Sequence, residues 1–86
     1  MIIKKGSKGQ DVIELQHALK TLGFNVGVSD GVFGPATELQ VEKFQESVEL
    51  HPDGIVGKGT LREINDALEA AGESDLKFKI GDHPDP

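Results

Sequence analysis

Apolar residues fall at Val12, Leu15, Leu19 and Leu22, with the amide Gln16 beside them. Steps of three and four place that set on one face of a helix. Gly23 stands where a left-handed residue ends such a helix, and Asp11 near its start and Lys20 near its end suit the helix dipole. A second apolar face runs through Val41, Phe44 and Val48, with Leu50 continuing it. Pro35 suits the first helical position, where a missing N–H costs nothing, Gly34 is the expected N-cap, and Pro52 forbids further helix. Leu61, Ile64 and Leu68 mark a third helix, closed by Gly72. The pattern predicts an all-α chain of three helices.

The loops between these helices carry a repeat. Asp30, Gly31, Gly34 and Thr37 return as Asp53, Gly54, Gly57 and Thr60 at an offset of 23, and Val32 and Val41 return as Ile55 and Ile64. Repetition of this kind signals one supersecondary unit used more than once. In the unit D-G-x-x-G-x-x-T the Asp carboxylate accepts backbone N–H groups in a turn, and the second Gly launches a helix. The apolar pairs Val32-Phe33 and Ile55-Val56 are expected to plug the core. Gly6 and Gly9 share the glycine spacing before the first helix, a weak third copy, since Ser7-Lys8 supply no plug.

After Gly72 the pattern changes. Leu76, Phe78 and Ile80 alternate with lysines before an Asp/Pro-rich end. A short strand fits, and a linker fits better, so residues 1–71 are read as the domain and 72–86 as a linker or tail toward a possible following domain.

Eighty-six residues make one small domain with a thin core. Cysteine is absent, so neither disulfides nor thiolate metal sites support it. Nine basic against fifteen acidic residues leave a net charge of −6, which argues against nucleic-acid and anionic-membrane partners. No stretch is long enough to span a bilayer, and "MIIKKGSKG" lacks the apolar core of a secretion signal.

Catalytic chemistry finds no foothold. His17, His51 and His83 are scattered, with no H-E-x-x-H and no helical pair for zinc, and the calcium-loop pattern is missing. No cofactor or metal is expected. Gln16 and Gln45 stand beside the apolar rows of their helices, one residue after Leu15 and Phe44, where a buried amide needs partners. Each is read as bonding the backbone of a facing loop. Asp30 and Asp53 are read first as turn formers; a sharper reading has the Asp30 loop offering backbone N–H groups to a ligand carboxylate or N-acetyl carbonyl.

"GSKGQDVIELQHALKTLGF", "DGVFGPATELQVEKFQ" and "DGIVGKGTLREI", in this order and spacing, resemble the three-helix peptidoglycan-binding module attached to cell-wall hydrolases. The match covers about residues 6 to 68. It departs at Gln40-Val41, where such modules often carry Ala-Val, and at "ELHPDG" after Val48, where Gly-Leu is usual. The resemblance implies a compact closed three-helix bundle. It also implies a non-catalytic module that holds an attached catalytic domain, of endolysin, amidase or muramidase type, against peptidoglycan; the chain is expected to be a monomer. The expected ligand-binding positions are Asp30, Gly31, Gly34, Thr37, Gln45 and Asp53. With no Trp or Tyr to stack on sugars, the ligand is expected in a shallow polar groove of modest affinity. Action at the bacterial wall without a secretion signal fits phage-type release or a chain boundary, and the rival reading is a protein-interaction module on the same fold.

Overall fold

The computed structural model describes residues 2–78. Three helices follow one another, α1 (Gln10–Thr21), α2 (Pro35–Ser47) and α3 (Lys58–Ala70), and a short 3-10 turn (Ser74–Leu76) follows them. No named strand occurs among the described residues, so the chain is all-α and forms a three-helix bundle as expected. α1 packs against both α2 and α3. Val12, Leu15, Leu19, Val41, Phe44, Leu61, Ile64 and Leu68 are all buried between them, while Leu22 and Val48 are half-buried against the same core. Phe24 and Phe44 pack edge-to-face at 5.5 Å between ring centroids. Each of these larger side chains contributes about 1.5–3 kcal/mol on burial, and in so small a domain none is redundant.

All three helices stop in the same way. Phe24, Leu50 and Glu73 each donate an N–H to the carbonyl five residues back, on Leu19, Gln45 and Leu68, at 2.8 Å. The residue before each donor takes a left-handed conformation that lets the chain double back. Gly23 and Gly72 fill that position at φ 95° and 79°, and Glu49 fills it after α2 at φ 64°. The departure "ELHPDG" therefore keeps the geometry of a glycine cap while holding a side chain where L-residues are disfavoured.

The N-terminal segment braces both turns. Ile3 exchanges backbone hydrogen bonds with Val56 at 2.8 and 2.9 Å, and it is buried. Gly6 donates to the Phe33 carbonyl, Phe33 to Ser7 and Gly9 to Gly31, each at 3.0 Å. Gly9, at φ 116°, differs from the N-caps Gly34 and Gly57 at φ −108° and −104°. The segment from Gly6 to Gly9 is therefore the partner of the first turn rather than a third copy. This pairing also corrects the expectation for the plugs. Extended backbone alternates its side chains, so Phe33 and Val56 enter the core while Val32 and Ile55 face outward, 45% and 41% exposed.

Past Gly72 the chain stays on the bundle. Asn65 of α3 clasps the Phe78 backbone from both sides: its Nδ2 donates to the Phe78 carbonyl at 3.0 Å and its Oδ1 accepts the Phe78 N–H at 2.8 Å. Phe78 is buried and Leu76 packs against the core. Leu76 lies in the 3-10 turn rather than a strand, and Ile80 and His83 lie outside the described residues.

Candidate ligand-binding turns

Each Asp-Gly turn is locked by a glutamine from the preceding helix. Gln16 is 1% exposed, and its Oε1 accepts the Gly31 N–H at 2.9 Å. Its Nε2 donates to the Val32 carbonyl and Thr37 Oγ1, both at 3.1 Å, and reaches Asp30 Oδ1 at 3.4 Å. Gln45, also 1% exposed, repeats the set. Its Oε1 accepts the Gly54 N–H at 3.0 Å, and its Nε2 reaches Asp53 Oδ1, the Ile55 carbonyl and Thr60 Oγ1 at 3.0, 2.9 and 3.2 Å. One amide thereby bonds four groups of each turn. The loops it closes differ in length, with fourteen residues separating Gln16 from Asp30 and eight separating Gln45 from Asp53.

The carboxylates complete the turns. Asp30 Oδ1 accepts the Val32 N–H at 3.0 Å and Asp53 Oδ1 accepts the Ile55 N–H at 2.9 Å. Both carboxyls are held below the ordinary aspartate range. For Asp30 the Val32 N–H is the main cause, opposed by partial desolvation and assisted by Gln16. For Asp53 the Ile55 N–H leads, followed by Gln45, with the nearby His51 adding to it. The glycine after each Asp is strongly favoured. Gly31 and Gly54 lie at φ 79° and 74°, and a Cβ would come within 3.0 Å of Ile13 Cγ1 at the first and 2.9 Å of Glu38 Cγ at the second.

The six sequence-predicted positions therefore divide between two places. Asp30, Gly31, Gly34 and Thr37 meet at the first turn, and Gln45 and Asp53 meet at the second. Gln16 and Thr60 complete the symmetry; the offset of 23 already pointed to Thr60. Thr37, Gln45 and Gly31 are buried within the turns, whereas Asp30 and Asp53 are exposed. Beside each turn lies a shallow groove. The first, of about 190 Å³, runs between Val28, Val32 and the start of α2 at Pro35 and Ala36. The second, of about 280 Å³, runs between Leu50, His51, Ile55 and the start of α3 at Gly59. Val28 and His51 are equivalent in the repeat, so the first groove has an apolar edge where the second has an imidazole. A separate concavity of about 300 Å³ between α1 and the 3-10 turn includes the exposed His17. No group of three or more metal-ligating side chains occurs among the described residues.

Residues 8–64, which include both turns, match the sequence profile of the family described as "Putative peptidoglycan binding domain". The chain belongs to this peptidoglycan-binding domain family. A spore cortex-lytic enzyme of Bacillus cereus is 48% identical over 59 residues, 69% of this chain and 23% of that enzyme. The N-acetylmuramoyl-L-alanine amidase CwlM of Mycobacterium tuberculosis is 43% identical over 56 residues, 65% of this chain and 14% of that protein. The chain thus spans about a quarter or less of the curated relatives named here. Among solved structures, the crystal structure of the SleB N-terminal domain superposes with a TM-score of 0.73 at 41% identity, covering 83% of this chain and 93% of that one. The same domain family thus recurs as one part of longer proteins named as a cortex-lytic enzyme and an amidase.

Proposed function

We propose that this chain binds bacterial cell-wall peptidoglycan at the Asp-Gly turns and holds an attached wall hydrolase against its substrate. The observation that carries the reading is the family match over residues 8–64, which takes in both turns, both grooves and all three helix starts. The relatives support the second half, since the same module recurs in a cortex-lytic enzyme and an amidase whose remaining length lies outside the match.

Binding is shallow and polar. Phe33, Phe44 and Phe78 are buried and Phe24 is packed against the core, so no aromatic ring stands free among the described residues to stack on a sugar. The ligand is held by exposed carboxylates, backbone groups and aliphatic edges. The test is to mix the protein with purified insoluble peptidoglycan and, separately, with microcrystalline cellulose. Pelleting with peptidoglycan alone, with no soluble muropeptides released, supports the reading. Equal pelleting with both, or with neither, overturns it and favours a protein-interaction module on the same fold.

A further inference from the structure

The two grooves share a chemical pattern that points to a particular piece of the wall. Thr37 and Thr60 line them and are only 3% and 6% exposed. Each hydroxyl oxygen accepts a hydrogen bond from a glutamine, and neither hydroxyl proton has an acceptor among the described residues. An O–H donor at the floor of such a groove is left to be satisfied by water or by a ligand carbonyl. Beside each threonine is an exposed aspartate whose Oδ1 serves the turn, and a carboxylate has further acceptor capacity on its second oxygen. The third component is an exposed aliphatic side chain, Val32 or Ile55.

A donor, a carboxylate acceptor and an aliphatic surface form the complement of a methyl-bearing secondary amide. Its carbonyl accepts from the threonine hydroxyl, its N–H donates to the aspartate, and its methyl covers the aliphatic side chain. An anionic ligand fits less well, because the aspartate repels it. A bare hydroxyl leaves the aliphatic surface uncovered. The same three components recur across loops of unequal length, although Val28 and His51 differ at the groove edge.

We propose that the two grooves are equivalent subsites, each for one methyl-bearing secondary amide, so that the domain grips the wall at two points. This rests on the peptidoglycan-binding reading above. Peptidoglycan supplies such amides as N-acetyl groups on its sugars and as alanine residues in its stem peptides.

The experiment follows backbone amide signals of the 15N-labelled chain during titration with an N-acetylglucosamine tetramer, with the uncharged N-acetyl-D-alanyl-D-alanine amide, and with cellotetraose as the amide-free control. Saturable shifts at both 31–37 and 54–60 with an amide probe, absent with cellotetraose, are expected; the probe that gives them identifies glycan or peptide as the source. Ala36→Glu and Gly59→Glu each fill one groove from the first turn of a helix, where a glutamate suits the dipole and the fold is retained. Each is expected to weaken the shifts at its own turn at least tenfold and leave the other turn unchanged. Shifts at one turn only, equal shifts with cellotetraose, or none with either amide probe overturn the proposal. If the protein still pellets with peptidoglycan in that last case, the paired subsites fall and wall binding stands; if it does not pellet, the wall-binding reading itself falls.

Discussion

Gln45 Oε1 lies 3.0 Å from the N–H of Gly54, nine residues later, and closes the second turn from inside the bundle. Gln16 does the same for Gly31. Replacing Gln45 with Leu keeps approximate volume but strands the Gly54 N–H and removes the donor to the Ile55 carbonyl. Each stranded buried group costs about 1–3 kcal/mol, so Gln45→Leu is expected to lose about 3 kcal/mol in urea denaturation. A loss below about 0.5 kcal/mol would show that the turn holds without its clasp.

Glu49 is the one non-glycine residue with positive φ among those described. Its two counterparts at the helix ends are glycines. Glu49→Gly is expected to raise stability by about 1 kcal/mol, since the left-handed conformation costs glycine little. Thermal unfolding checks this, and a lowered Tm contradicts it.

Asp30 and Asp53 both have carboxyls held below the ordinary range in the folded state. A depressed native pKa adds stability that is complete above the ordinary aspartate value and disappears as pH falls through the native one. The double variant Asp30→Asn, Asp53→Asn keeps an acceptor oxygen at each turn but cannot titrate there. Its unfolding free energy is expected to fall less steeply than that of the wild type from about pH 4 downward. Parallel curves would show that the two carboxylates do not report folding.

Phe78 is buried and held by Asn65, beyond the last helix. Phe78→Ala is expected to cost about 3 kcal/mol, as for other aromatic truncations in a core. Asn65→Ala, which removes both bonds to the Phe78 backbone, is expected to cost about 2 kcal/mol. Unchanged denaturation midpoints in both variants would make residues 72–78 a passive tail.

Helix faces were legible because burial on a bundle repeats every three to four residues, and Val12, Leu15, Leu19, Ile64 and Leu68 all obey that period. The turns were legible because they occur twice. Ile3 was not, since its burial comes from pairing with Val56, far along the chain, and a lone apolar residue among lysines carries no period. Phe78 was missed for a related reason: Leu76 and Phe78 are too few to distinguish a docked tail from a linker. Both residues of Val32-Phe33 read as plugs because the sequence does not mark which side faces the N-terminal brace. The candidate positions were legible as repeated turn residues but not as two separate turns. Gln16 and Gln45 sit at different distances from the turns they close, so their equivalence shows only when the hydrogen bonds are compared.

The most direct test is a binding isotherm on purified insoluble peptidoglycan, recorded at about 50 and about 300 mM salt, a range over which screening of exposed charges changes markedly. The chain is at −6 and the wall also carries carboxylates, so net charge does not draw them together. Neutral amides held by hydroxyl, carboxylate and aliphatic groups predict saturable binding, with Kd between about micromolar and millimolar and little change across the two salts. Loss of binding at the higher salt would place the attraction in the lysines near the N-terminus, and absence of binding to walls from several species would contradict peptidoglycan recognition altogether.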